Sequence, residues 1–317
     1  MAISIFVLLA GLGLLVISAN WLVDYASALA KKYNISDLAI GLTVVAFGTS
    51  MPELIVNIVS AINNHQDIAM GNIIGSNNFN LFVILGISGI ITPLTVKSST
   101  VWKEIPFSLL AAVLLLIMAN DLFLSSSSML GRIDGFIFLA FFVAFLYYVF
   151  LQMQGDDTNS ELATNQYSFT RIILMIIVAL AGLIVGGKLV VDMAVKIASG
   201  LGISEKVIGL TIIAAGTSMP EMMTSIVAAI KKNNDIAIGN IMGSNIFNIF
   251  MILGTSTLIR SIVYTKNFNI ELIMLISGTI FLFIAMFTGE KKKLDRWEAA
   301  ILLIAFIGYT TFTIAKI

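Results

Sequence analysis

Long apolar runs alternate with short polar breaks along almost the whole chain. The runs lie near 3–23, 36–62, 68–92, 104–120 and 132–151, and again near 171–191, 204–230, 236–259, 270–288 and 297–315. Each is close to the roughly 20 residues a helix needs to cross the hydrocarbon core of a bilayer. The pattern therefore predicts an all-α integral membrane protein with ten transmembrane helices. An odd number of spans in each half forces the halves into opposite orientations, so the expected architecture is two inverted five-helix repeats. The first repeat covers 1–151, a polar linker 152–170, and the second repeat 171–317. The first apolar run is read as a retained span and not a signal peptide. It has no positive n-region, and residues 171–191 fill the same place in the second half.

The two halves also repeat each other residue by residue. Residues 41–87 read GLTVVAFGTSMPELIVNIVSAINNHQDIAMGNIIGSNNFNLFVILGI, and residues 209–255 read GLTIIAAGTSMPEMMTSIVAAIKKNNDIAIGNIMGSNIFNIFMILGT. About 29 of these 47 positions are identical at a constant offset of 168, more than shared apolar composition would give. The identities include a glutamate, an aspartate, a proline, several glycines and several Ser, Thr and Asn. A bilayer excludes such groups unless they are used, which directs the search for function to these blocks.

Composition narrows the chemistry. With 58% hydrophobic residues, 11% charged residues and a mean hydropathy of +1.00, a soluble globule is excluded. The formal net charge of zero gives no footprint for nucleic acid. Without cysteine there is no disulfide, thiol nucleophile or thiolate metal site, and His65 alone cannot build a histidine site. No HExxH or Ser–His pair is present, so no enzyme is expected and no cofactor is implied. Loop charge sets the orientation. About 11 Lys and Arg, among them Lys31, Lys32, Lys97, Lys231, Lys232 and Lys291 to Lys293, fall on one side, against about 7 on the other, including Arg132, Lys206 and Lys316. The richer side is cytoplasmic, so both termini are expected outside and the linker inside.

Within the repeated blocks the polar residues fall on helical faces. Ala46, Thr49, Ser50 and Glu53 stand at i, i+3, i+4 and i+7. Pro52 has no N–H and clashes with the preceding turn, so the helix breaks near Gly48 and frees carbonyl oxygens there. Ala214, Thr217, Ser218 and Glu221, with Gly216 and Pro220, repeat the arrangement. The next span carries Asn72, Ser76 and Asn80 on one face, and its counterpart carries Asn240, Ser244 and Asn248. These are hard oxygen donors of the kind that suit Ca²⁺ and Na⁺. Gly71 with Gly75, and Gly239 with Gly243, are read as close helix packing. Asp67 and Asp235 are expected as helix N-caps. Asp24 and Asp192 are expected as interfacial caps or ties, and His65 as a solvated loop residue. The linker acids Asp156, Asp157 and Glu161 lack EF-hand spacing.

A charge at mid-bilayer costs about 2.5–3.5 kcal/mol on insertion scales. Two glutamates at equivalent places, each flanked by Thr, Ser and a helix break, point to a midplane cation site shared by Glu53 and Glu221. Closing such a site without its cation would bury two unpaired charges, so exchange is expected in place of leak.

At GTSMPE…GNIIGSNNFN and GTSMPE…GNIMGSNIFN the chain resembles the two alpha repeats of the sodium/calcium exchanger family, within the calcium/cation antiporter superfamily. The resemblance implies Na⁺/Ca²⁺ antiport by alternating access at the cell membrane, with the long first and sixth helices sliding against the rest. It implies an ion site in which Glu53 and Glu221 are shared carboxylates and Thr49 and Thr217 give backbone and hydroxyl oxygens. Ser50, Ser76, Ser218 and Ser244 would serve sodium with carbonyls of Ala46 and Ala214, and Asn80 and Asn248 would complete the centre. Asn at 248 resembles the potassium-independent members. The missing regulatory loop resembles a compact prokaryotic form, with no obligate protein partner and a monomer expected. The alternatives are a cation/proton antiporter of the same superfamily, whose usual GN-x-x-E pattern is missing here, and a cation channel.

Overall fold

A computed structural model describes residues 2–120, 128–153, 167–202 and 214–315 of the chain. In chain order its helices are α1 (Ala2–Tyr33), α2 (Asp37–Thr49), α3 (Met51–Ile62), α4 (Gln66–Ile91), α5 (Thr100–Ala119) and α6 (Arg132–Met153). They continue as α7 (Phe169–Gly200), α8 (Met219–Ile230), α9 (Asn234–Ile259), α10 (Lys266–Ala285) and α11 (Arg296–Ala315). A single helical turn, Ala214–Gly216, precedes α8. The start of the expected 204–230 span, with Lys206, lies outside the described residues, as do Asp156, Asp157, Glu161 and Lys316.

Among the described residues seven helices are long and apolar enough to cross a membrane, and the pair α2–α3, bent by 48°, makes an eighth. The fold is therefore that of a helical membrane protein. Helices α1 and α7 each run 32 residues, about ten beyond the apolar segments that announce them. At about 1.5 Å per residue they reach roughly 48 Å, longer than a bilayer core of about 30 Å. In α1 the extension is ASALAKK, whose alanines favour helix and whose Lys31 and Lys32 suit the negative C-terminal end. The helix stops where Asn34 adopts φ 54° and the Ile35 N–H reaches back to the Ala30 carbonyl at 2.8 Å.

The helices sort by burial. The apolar windows of α4 and α9 are 78% and 94% buried, whereas those of α1, α5, α6, α7 and α10 are 17–39% buried. Thus α4 and α9, the ones carrying the repeated Asn and Ser, are innermost, and their low hydropathy is compatible with a bilayer because they meet protein on nearly every side. Helices α1 and α7 pack against each other along their length, with Gly182 set against Ser18 and Gly186 against Leu15. Their outer faces show Phe6, Leu9, Ile17, Leu174 and Ile177.

Close approach of α2 and α9 is where glycine is required. A Cβ on Gly239 would lie 2.9 Å from the Leu38 carbonyl oxygen, and one on Gly243 would lie 2.7 Å from the Ala46 Cβ and 2.9 Å from the Leu42 carbonyl. The second GxxxG pair is thus a backbone contact surface, as its spacing predicts.

Two details depart from the sequence expectation. First, the chain has two short antiparallel ladders, β1 (Leu94–Thr95) with β4 (Lys293–Leu294) and β2 (Met129–Leu130) with β3 (Ile262–Val263). Each joins the first half to the second and satisfies backbone groups left over at helix ends. Second, Asp67 and Asp235 are not N-caps. His65 and Asn233 hold those positions, and the Asn233 side chain accepts from the Ile236 N–H at 3.1 Å. The aspartates stand in the first turn, where Asp235 pairs with Lys97 at 3.2 Å and Asp67 accepts from the Thr265 hydroxyl at 2.9 Å. Asp24 is the expected tie, 2.6 Å from Lys231.

If the α2–α9 contact holds the interior together, Gly243→Val should destabilise the protein by about 1–3 kcal/mol through overpacking. Gly13, with open space at its Cβ, is the matched control. Thermal unfolding in detergent should separate the two: Gly13→Val near wild type, Gly243→Val several degrees lower.

Candidate functional site

The break between α2 and α3 falls on Ser50 (φ −82°, ψ 7°), and the one before α8 falls on Ser218 (φ −86°, ψ 9°). In each, the proline two residues on sits in the first turn of the new helix, where a missing N–H costs nothing. The glutamate that follows is then also in the first turn, so Glu53 and Glu221 lie at the positive ends of α3 and α8, a placement that favours a carboxylate. Both are 1% exposed.

The two halves cross-connect at this point. Ser218 Oγ donates to Glu53 Oε1 at 3.0 Å, and Ser50 Oγ donates to Glu221 Oε1 at 2.9 Å. Ser76 Oγ lies 3.4 Å from Glu53 Oε1, and Ser244 Oγ lies 3.0 Å from Ser50 Oγ. Each glutamate is thus held by the serine beside the other. Thr49 Oγ1 donates to Asn240 Oδ1 at 3.0 Å and Thr217 Oγ1 to Asn72 Oδ1 at 3.4 Å. Asn72 and Asn240 return their amide hydrogens to the carbonyl oxygens of Glu53 and Glu221, at 3.4 and 3.3 Å. They also meet Asn57 and Ser225, at 2.7 and 2.9 Å.

What this network leaves unpaired is as regular as what it pairs. Glu53 Oε2, Glu221 Oε2, Asn80 Oδ1 and Asn248 Oδ1 are all buried and have no hydrogen-bond partner. All four are oxygens that accept, and burying an acceptor without a donor costs about 1–3 kcal/mol each. Asn80 and Asn248 both lie in wide π-helical turns, at 79–84 and 247–253, a local geometry that recurs at functional positions. No group of three or more Asp, Glu and His able to hold a metal occurs among the described residues. Any cation here would be held by two carboxylates together with hydroxyl, amide and carbonyl oxygens.

Of the residues singled out in the sequence, the structure brings Glu53, Ser76 and Ser218 together, and likewise Glu221, Ser50 and Ser244. Thr49 and Thr217 join through Asn240 and Asn72. Ala46 is buried at the end of α2, and its carbonyl accepts from the Ser50 N–H at 3.0 Å. Ala214 begins the helical turn before α8, and its side chain is outside the described set. Sequence reasoning missed Asn57, Ser225, Asn77 and Asn245. The last two are identical in the repeated GSN triplets, a signal that the i, i+4 face count passed over.

The long apolar helices and their buried polar centre define a multi-pass membrane protein. The family profile described as Sodium/calcium exchanger protein matches residues 3–151 and 171–315. The inner membrane protein YrbG of Escherichia coli K12 is 37% identical over 290 residues, covering 86% of this chain and 87% of that one. The sodium/calcium exchanger MaX1 of Methanosarcina acetivorans is 30% identical over 345 residues, covering 97% of each. A solved structure of the sodium-calcium exchanger NCX_Mj, soaked with Na⁺ and Sr²⁺, superimposes with a TM-score of 0.83 at 30% identity, over 97% of each chain. The chain belongs to the sodium/calcium exchanger family and is an antiporter of prokaryotic type.

Asn240 ties Thr49, Ser225 and the Glu221 carbonyl into one contact, so Asn240→Leu should leave three buried polar groups without it. The expected loss is roughly 3 kcal/mol or more. Denaturation of the purified protein checks this, and a loss under about 1 kcal/mol would mean the network reorganises around the substitution.

Proposed function

We propose that the protein exchanges Na⁺ for Ca²⁺ across the cell membrane by alternating access, through one cation site shared by Glu53 and Glu221. The observation that carries this reading is the set of four buried oxygens without partners, two carboxylate and two amide, related by the repeat. A divalent ion between the two carboxylates balances their charge and gives the spare acceptors a partner. Ser50, Ser76, Ser218 and Ser244, with Thr49, Thr217 and the carbonyls of Ala46 and Ala214, supply further oxygens that monovalent ions use in greater number. A site loaded with one Ca²⁺ or with several Na⁺ is close to neutral, whereas an empty one leaves two charges exposed to low dielectric. Only loaded sites then cross, which couples the two ions.

The same reading extends to architecture. Residues 1–151 and 171–317 are two inverted five-helix repeats joined by a cytoplasmic linker at 152–170, with both termini outside. Ten spans follow if the shorter apolar helix α8, and α11, are counted beside the eight that are long and apolar enough to cross a membrane. The two ladders, each pairing one half with the other, support the same symmetry. The protein works as a monomer in the lipid bilayer, with Na⁺ and Ca²⁺ as substrates and neither cofactor nor enzymatic activity. The match of MaX1 and NCX_Mj, both named sodium/calcium exchangers, favours Na⁺ over H⁺ as the coupling ion.

Radiolabelled Ca²⁺ uptake into proteoliposomes tests this. Uptake should require internal Na⁺, fail with internal K⁺, and fail with a pH gradient alone. Glu53→Gln and Glu221→Gln should each abolish it while the protein still inserts. Uptake driven by the pH gradient would make H⁺ the coupling ion, uptake without any counter-ion would indicate a channel, and normal transport by both variants would refute the site.

A further inference from the structure

Asn77 and Asn245 are fully buried, and the ion-site reading gives them no task. Asn77 Nδ2 donates to the main-chain carbonyl of Asn245 at 3.3 Å, and Asn245 Nδ2 donates to the main-chain carbonyl of Asn77 at 3.5 Å. A carbonyl oxygen only accepts, so each side chain must turn its NH₂ toward the other backbone and its Oδ1 away. Those two oxygens then receive the next donors. Asn77 Oδ1 accepts from Asn248 Nδ2 at 2.9 Å, and Asn245 Oδ1 accepts from Asn80 Nδ2 at 3.0 Å. With its NH₂ committed inward, each of Asn80 and Asn248 is left with a buried Oδ1 that bonds to nothing.

The orientation of all four amides therefore descends from two main-chain carbonyls, which cannot be reversed. This matters because an amide has two ends of nearly equal size and opposite polarity. A half-turn of Asn80 or Asn248 would present N–H where an oxygen stands, and an N–H repels a cation. Asn80 lies one turn beyond Ser76 on α4, and Asn248 one turn beyond Ser244 on α9, so both follow directly on the serines of the glutamate cluster.

We propose that Asn77 and Asn245 are positioning residues that lock Asn248 and Asn80 with their carbonyl oxygens presented to the transported cation. They do not touch the ion; they remove the orientation in which the amides would oppose it. The proposal rests on the cation-site reading above, and it assigns part of the site's preference for cations to a hydrogen-bond relay that crosses from one repeat to the other.

The test is a pair of double-mutant comparisons read by the Ca²⁺-dependent rise in unfolding temperature of the detergent-purified protein. The metal-free transition reports folding separately. Asn77→Leu should keep a cooperative metal-free transition and weaken apparent Ca²⁺ affinity about tenfold or more, the scale of one charge-assisted contact. In an Asn248→Asp background the two side-chain oxygens are equivalent and no wrong orientation exists. There, adding Asn77→Leu should change affinity much less. Asn245→Leu with and without Asn80→Asp repeats the comparison from the other side, and it decides the matter if Asn77→Leu does not fold. Wild-type affinity in Asn77→Leu, equal losses in both backgrounds, or loss of the Ca²⁺ response in Asn248→Asp itself would each overturn the proposal. A wild-type protein that shows no Ca²⁺ response would instead remove the cation site on which it rests.

Discussion

A carboxylate inside a bilayer has to be compensated by the protein itself, because no water is there to do it. Two buried carboxylates, Glu53 and Glu221, lie at the centre of this molecule, and much of the structure can be traced to their compensation. Each stands in the first turn of a helix that restarts after a break, each accepts from the serine beside the other, and each keeps one oxygen unpaired. The breaks at Ser50 and Ser218 make the arrangement possible, since an unbroken helix would offer neither a positive end nor an accessible hydroxyl at that depth.

Compensation also explains the order of burial. Helices α4 and α9 carry the repeated Asn and Ser and are the innermost, and the glycines that let α9 approach the backbone of α2 place its Asn and Ser beside the glutamates. More apolar helices cover them. Nearly every contact at the centre has a counterpart at an offset of 168 residues, such as Ser50–Glu221 with Ser218–Glu53. Two equivalent halves meeting face to face form a polar cluster that neither half contains alone, and on the proposed reading it would present the same ligands to both sides of the membrane.

Much of this was legible in the chain before any coordinate. Repetition located the polar centre, hydropathy located the long apolar helices, of which the described residues give seven and one bent pair, and Pro52 and Pro220 located the breaks. The rest was hidden for physical reasons. The last ten residues of α1 are too polar on average to register as membrane helix, although alanine and a good C-cap carry the helix to Tyr33. Asp67 and Asp235 have the right residue type for caps, but a cap is decided by backbone conformation, and His65 and Asn233 took those positions. The two-residue ladders leave no periodic trace. Pairing of each serine with the opposite glutamate is a property of the interface between halves, and a single-helix face count cannot see it. Asn77 and Asn245 escaped for the same reason, since they point across the interface to each other's backbone.

The central claim is that one cation is held between Glu53 and Glu221. Anomalous diffraction from crystals soaked in Sr²⁺, as a heavier stand-in for Ca²⁺, tests it most directly. The account predicts a single strong peak within coordination distance of both carboxylates, lost in Glu53→Gln and Glu221→Gln crystals. A peak bound elsewhere, or one that persists when both glutamates are replaced, would contradict it.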